Sequence, residues 1–519
     1  MIRRLECQRM SGRIFAILAL LGASACADVM KFLVPPASFK AESRASASTA
    51  EVVLDGVRLA DEATPVQVAI RAGRVVAIGV DIARAHVDGT TRRISLGGQI
   101  LQPSFTDAHV HLAGAAMLAD AVFVRAGDFS GLHDAKARLT KEVGRRGSSL
   151  GPHDWLWLLG LDNAQMRALD AEALERQFPA VALYCSGPDG HSGLLSRAAV
   201  ALLPAPLRAE VAALHGHLDG PLARRVWRAL PPPRRLRLQP LMLGVLRTFA
   251  AQGVGEVHAM GESVATLQAL RELESQGRIP LRVRVYLDAN DLDTADAVAR
   301  PPLAASAARR PLVTLAGVKL WLDGSLGGRT AALSSPYADA DDAGRRAPAP
   351  PLHHEVEALH AWIAQLDAVG LQLAVHAIGD AAVERLIVTV AGMKRHSGAP
   401  PLRIEHAQVV RPDQIARLAG VVCSIQPLHR QDDHAFSAMR LGSDRAAWAY
   451  RARSLDGACP LLLGSDYPIG QPKPSLMVKE LVGDQHTDRT PQERLTRRSA
   501  LDALTRDPLS MRPRQVAVG

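Results

Sequence analysis

From residue 104 onward the chain repeats one unit, a short apolar run followed by a stretch with helical periodicity. Eight such runs end near His109, His258, Tyr286, Lys319, His376, His406, Gln426 and Asp466. Most of the segments between them carry an amphipathic helix, such as Glu355 to Leu366 or Ala381 to Met393. Short, continuously apolar runs suit strands covered on both faces, and helical crossovers between them imply a parallel sheet. Eight such units predict an α/β protein built on a closed (β/α)8 barrel. In that fold the active site forms at the C-terminal ends of the strands.

Five of the runs finish on, or just before, a side chain that can bind metal. They read Phe105-Thr-Asp-Ala-His109 with His111 beyond, Gly317-Val-Lys319, Leu373-Ala-Val-His376, Leu402-Arg-Ile-Glu-His406 and Leu461-Leu-Leu-Gly-Ser-Asp466. Each has a plain structural reading when taken alone. A histidine at a strand end often serves only to satisfy a neighbour, a lysine there is usually a salt-bridge partner, and Asp466 before Tyr-Pro suits a turn. Convergence at one barrel mouth changes the reading. Imidazoles and a carboxylate would hold one or two divalent cations, and imidazole suits zinc. A bare ammonium would be repelled there. Lys319, its pKa depressed by burial, can instead react with carbon dioxide and bridge the ions as a carbamate. This set predicts a metal-dependent hydrolase that activates a water.

The 519 residues exceed one small core, so a large domain with an accessory one is expected. Net charge is +9, which raises the question of nucleic acid. The arginines are scattered and aromatic residues make up only 4%, so no stacking platform is formed. The expected partner is a small-molecule substrate and not nucleic acid; association into oligomers is left open.

Residues 1–25 read as an export signal. Arg3, Arg4, Arg9 and Arg13 precede a short apolar core, Ile14 to Leu21, and Ala23-Ser-Ala25 suits cleavage. That core is too short to span a bilayer. Cys26 follows directly, and both lipidation and plain cleavage fit, giving a periplasmic or envelope location with or without a lipid anchor. Residues 26–50 read as a linker. In 51–103, alternating runs break at Asp55-Gly56 and Ala72-Gly73, two hairpin signals of a small β domain. Residues 104–489 form the barrel, interrupted by a long insertion at about 113–240 of the kind that makes lids or specificity elements. Residues 490–519 hold a capped helix from Thr490, a second helix near Thr496 to Thr505, and a tail. Cys185, Cys423 and Cys459 lie far apart in apolar stretches and are expected as buried free thiols.

The motifs themselves resemble the amidohydrolase superfamily, in the amidohydrolase-3 branch of YtcJ-like proteins and N-substituted formamide deformylases. The resemblance runs from about residue 51 to about 508. It is carried by Leu101-Gln-Pro-Ser-Phe-Thr-Asp-Ala-His-Val-His111, Asp189-Gly-His191, Gly253-Val-Gly-Glu-Val-His258, the segment Gly317 to Thr330, His376-Ala-Ile-Gly-Asp380, Arg403-Ile-Glu-His-Ala-Gln408 and Gly464-Ser-Asp-Tyr-Pro468. It implies that His109, His111 and Asp466 bind one metal, that His376 and His406 bind a second, and that carboxylated Lys319 bridges them. Asp466 would serve as general base and then acid in hydrolysing a C–N bond. Asp323 is a candidate for orienting Lys319 or touching substrate. His191 is a candidate lid residue, and His258 and His429 are candidates for the pocket mouth.

Two departures stand out. Pro103-Ser104 replaces the family's Pro-Gly. The C-terminal Gly-rich stretch and return strands that complete a β-sandwich beside the N-terminal segment are not evident, so that sheet is expected to be incomplete. Two other readings share the same ligands: an inactive or binding envelope lipoprotein that keeps the barrel, and non-hydrolytic use of the metal site.

Overall fold

The computed structural model describes residues 49–59, 64–123, 140–146, 154–159, 176, 178–179, 181–186, 193–218, 220–230, 235–291, 294–299, 311–339, 351–393, 395, 398–483 and 490–507. The expected export signal, nearly all of the linker and His191 fall outside these residues. The chain divides into two compact units, Met1–Leu112 with Leu246–Gly519, and Ala113–Val245.

The first unit opens with a five-stranded sheet of β1 (Val52–Leu59), β2 (Val66–Arg71), β3 (Arg74–Gly79), β4 (Arg92–Ser95) and β5 (Ile100–Leu101). Its order is β3-β2-β1-β4, with β5 continuing alongside β1. Of the two expected hairpin signals, Ala72-Gly73 is one. Both residues take positive φ, 49° and 74°, the conformation that a two-residue turn between twisted strands needs. Asp55-Gly56 is not a turn. It lies inside β1, where the register against β2 slips between Leu54 and Val57, so the pair forms a bulge. There β1 changes parallel partner from β4 to β5. Val57, Leu59, Val66, Val68, Leu96 and Leu101 form the apolar face.

The barrel begins with β6 (Phe105–Val110). The inserted unit follows it in sequence and spans 113–245. It holds its own sheet of β7 (Val122–Phe123), β8 (Trp155–Leu159), β9 (Ala182–Ser186), β10 (Gly193–Leu195) and β11 (His217–Leu218), packed on helices Ala205–Ala213 and Gly220–Ala229 through Trp155, Tyr184, Leu195, Val211 and Val226.

The barrel then continues through β12 (Val254–Glu262), β13 (Arg282–Asp288), β14 (Val313–Trp321), β15 (Gln372–Ala377), β16 (Arg403–His406), β17 (Val422–Ile425) and β18 (Leu461–Leu463). Together with β6 these are the eight expected strands, in order β6-β12-β13-β14-β15-β16-β17-β18, and all pair in parallel. The circle closes where Asp466 N–H donates to the His109 carbonyl and His111 N–H to the Tyr467 carbonyl, both at 2.8 Å. The crossover helices read as their sequences suggest. Helix Val264–Ser275 buries Leu267, Leu270 and Leu273 and is capped by Ser263, while Val356–Ala368 buries Leu359, Ile363 and Leu366.

Two expectations fail here. Pro491–Glu493 is a single 3-10 turn with no side-chain cap from Thr490, because the Glu493 carboxylate is spent on the backbone N–H and hydroxyl of Ser454. The next helix, Arg497–Thr505, does start with a Thr496 cap. Cys423 and Cys459 are not free thiols; they form a disulfide. Cys423 pairs in register with Leu461, so Cys459, just ahead of β18, lies with its Cα 6.1 Å away. Cys185 is free and buried.

Candidate active site

The closure of β6 on β18 and the order of β14, β15 and β16 bring the expected ligands to one end of the barrel. His109 Nε2 lies 3.4 Å from Lys319 Nζ and 3.5 Å from Asp466 Oδ1. His111 Nε2 lies 3.1 Å from the same Asp466 oxygen. The His406 ring centre is 4.9 Å from that of His109 and 4.4 Å from that of His376. All six residues are therefore neighbours.

Strand alternation alone would not produce this arrangement. Arg403 and Glu405 face the barrel interior, so the next residue in a regular strand faces away. His406 instead takes φ 75° and Ala407 φ 43°, which ends the strand and swings the imidazole inward. Asp466 does the same after β18, with φ 55°. Left-handed backbone at non-glycine residues is costly, and it falls here on two ligand positions.

The hydrogen-bond partners fix which ring nitrogens stay bare. His111 Nδ1 lies 2.9 Å from the Met260 carbonyl, which can only accept, so Nδ1 carries a proton. His109 Nδ1 lies 2.7 Å from Glu405 Oε2 and likewise donates. Both rings then turn Nε2 toward Asp466 Oδ1. His376 Nε2 is 3.0 Å from the Gly324 carbonyl, which leaves its Nδ1 bare. Among buried polar atoms, His406 Nδ1, His429 Nε2 and Asp466 Oδ1 make no hydrogen bond. Lys319 Nζ reaches His109 Nε2, but the other acceptors cluster without a hydrogen bond, an arrangement that a cation relieves. The donor set His109, His406 and Asp466, with atoms within 4.8 Å of one another, fits a divalent ion of the kind imidazole and carboxylate bind.

Electrostatics agree with this reading. Burial, with Lys319 beside them, pushes His109 and His406 well below the usual imidazole range and His376 down to about 3, so the rings are neutral ligands. Burial alone would raise the Asp466 carboxyl, but the imidazoles around it outweigh that and hold it well below the usual range. Burial lowers the Lys319 ammonium to about 8. Its Nζ has no carboxylate partner within ion-pair distance among the described residues.

The remaining candidates separate. Asp323 accepts backbone N–H bonds from Ala332, Ile378 and Gly379 at 2.9, 3.0 and 2.8 Å and lies 3.5 Å from His376 Nε2. It braces His376 and forms no hydrogen bond or ion pair with Lys319. Burial raises its carboxyl to about 7. His429 lies at the site, its Nε2 3.4 Å from Asp466 Oδ2 and its ring stacked on His406. His258 is not at the mouth. It is fully buried between Glu256 and Arg403, because its position in β12 faces the polar interior of the barrel.

Sequence reading gave no role to Glu405, which holds His109, although the residue lies within the Arg403-to-Gln408 motif. It also gave none to Asp107, whose buried Oδ1 accepts from Ser465 N–H at 2.9 Å and so ties β6 to the end of β18.

A parallel eight-stranded barrel with a cation-ready cluster of histidine and aspartate at its strand ends defines the metal-dependent hydrolase class of this fold. The chain belongs to the amidohydrolase family, whose amidohydrolase-3 pattern it matches over residues 92–511. It is 25% identical over 421 residues to the protein YtcJ of Bacillus subtilis (strain 168), covering 76% of this chain and 75% of that one. It is 22% identical over 464 residues to an N-substituted formamide deformylase of Arthrobacter pascens, covering 82% and 81%. The structure resembles that of an uncharacterized metal-dependent hydrolase from Pyrococcus furiosus, with a TM-score of 0.72 and 25% identity over 88% of this chain and 93% of that one.

Proposed function

We propose that the protein is a zinc-dependent amidohydrolase that cleaves the C–N bond of a small N-acyl or N-formyl amine. The observation that carries this is the convergence of His109 Nε2 and His111 Nε2 on Oδ1 of Asp466, with Nδ1 of each ring held by an acceptor. The deformylase likeness supports the bond type.

In this reading His109, His111 and Asp466 would hold one ion, and His376 and His406 would hold a second. Bound zinc supplies Lewis acidity and lowers the pKa of a water to near neutrality. Lys319, once carboxylated, would be a further ligand. Burial lowers its ammonium to about 8, so about a tenth of the amine is uncharged at pH 7. That amine adds to carbon dioxide, forming an N–C bond and releasing a proton to solvent, and the resulting carbamate offers two oxygens. Asp466 takes the proton of the attacking water and delivers it to the departing nitrogen, as base and then acid. Asp323 keeps His376 in place through the loop it ties down.

The protein also acts outside the cytoplasm in this reading. The Arg-rich start with its short apolar core supports export, and the Cys423–Cys459 bridge fits an oxidising compartment. Metal analysis of chelator-free protein should find one to two zinc ions per chain. A panel of N-formyl and N-acyl amines should show turnover that a chelator removes and zinc restores. Full turnover in metal-free protein, or metal-loaded protein inert on every amide, would refute the proposal.

A further inference from the structure

The barrel interior beside the ligands carries a line of buried charge where aliphatic layers are usual. His109 Nδ1 donates to Glu405 Oε2 at 2.7 Å. Arg403 Nη2 donates to that same oxygen at 3.1 Å, and its Nε pairs with Glu405 Oε1. Both side chains are fully buried. Arg403 is fixed in turn. It donates to His258 Nδ1 at 2.6 Å, to Ser424 Oγ at 3.0 Å and to the Ala108 carbonyl, and it lies over the Tyr286 ring with 5.5 Å to the centroid. Since His258 Nδ1 accepts, its Nε2 carries the proton and donates to Glu256 Oε1 at 3.2 Å. Burial pulls His258 down to about 4, so it stays neutral.

Stability does not account for this arrangement. A buried ion pair contributes no more than apolar residues of the same volume, and often less. What the pair does provide is direction. A carboxylate on one ring nitrogen sets the tautomer and the orientation of a ligand histidine and makes it more basic. Glu405 is the partner His109 has on Nδ1, and Arg403 leaves Glu405 no freedom to turn away.

We propose that Glu405, clamped by Arg403, is a positioning residue that holds His109 with Nδ1 protonated and Nε2 aimed at the cation. The proposal rests on the reading that a divalent ion sits among His109, His111 and Asp466.

The test uses full-length protein, stripped and reloaded with cobalt(II), whose visible spectrum reports ligand geometry. Affinity is read by competition with a chelator. Glu405→Gln loses the charge that anchors the bond. Glu405→Asp keeps the charge for Arg403 but draws the oxygen back from Nδ1. Each should bind cobalt about 10–100-fold more weakly, with an altered spectrum and unchanged circular dichroism. Glu493→Gln changes another buried carboxylate outside the ligand set, and should lower the melting temperature but leave cobalt affinity and spectrum alone. If the Gln variant does not fold, the Asp variant decides. Folded Glu405 variants with wild-type affinity and spectrum would overturn the proposal, as would an equal loss in Glu493→Gln. Wild-type protein that binds no cobalt would overturn the metal reading itself.

Discussion

Replacing both Cys423 and Cys459 with alanine should cost the barrel about 5 kcal/mol. The bridge spans 36 residues of sequence. Closing a loop of that length removes roughly 13 cal/mol/K of entropy from the unfolded chain, or about 4 kcal/mol at 25 °C. Both cysteines are buried, so the lost sulfur atoms add a packing penalty on the order of 1 kcal/mol. Alanine is the right replacement, since serine would bury hydroxyls without partners. Wild type and double variant would be unfolded side by side in urea and compared through their midpoints at a common slope. Maleimide labelling in denaturant without reductant would show whether Cys423 and Cys459 are blocked while Cys185 reacts. The effect should extend to function. The bridge ties the start of β18 to β17, and Asp466 lies just beyond the other end of β18. The double variant should therefore lose activity at lower temperature or urea than wild type. A stability difference under about 1 kcal/mol, or a labelled Cys423 in unreduced protein, would refute the reasoning.

Gly464→Ala should empty the site while leaving most of the barrel folded. Its Cβ would lie 2.5 Å from His109 Cβ and 2.6 Å from His109 N, so β18 must part from β6. Metal content measured against wild type decides, and an undiminished value would contradict the closure described above. Lys319→Ala should lower turnover by more than about a hundredfold, and acetate or propionate should restore part of it by replacing the carbamate oxygens. Lack of any rescue by a graded series of short acids, in protein that still binds metal, would count against the bridge. Hydrogen exchange should find the amides of 51–103 less protected than those of β15. That sheet has a thin apolar face and ends on the short, largely exposed strand β4; equal protection would show that its edge is covered.

Much of the barrel is legible in the sequence because its strands are short, apolar and punctuated. Leu461-Leu-Leu and Leu373-Ala-Val are buried on both faces, and such runs declare parallel strands directly. The candidate ligands stand out for the same reason, since strand ends converge. What the sequence hides is pairing across distance. Nothing in the spacing of Cys423 and Cys459 shows that β17 and β18 set them side by side. Asp55-Gly56 misleads because a bulge and a hairpin use the same residues. The choice depends on whether β1 has a second partner to reach, and here it passes from β4 to β5.

The segment Leu402-Arg-Ile-Glu-His406 shows how local reading and site geometry part. Its alternation of apolar and charged residues is the pattern of a strand with one face in water. Both faces are in fact buried. The charged face meets Tyr286, His258 and His109 inside the barrel, where each charge finds a partner that sequence distance conceals. His406 has the wrong parity to join them, and only the left-handed backbone at its own position brings it to the ligands. The same five residues therefore supply one ligand and the carboxylate that directs another. Moving His406 back into regular strand geometry would take its imidazole out of the site while leaving the Arg403–Glu405 clamp in place. The strain at His406 and the buried ion pair are thus separate requirements of the proposed metal site, met on a single strand.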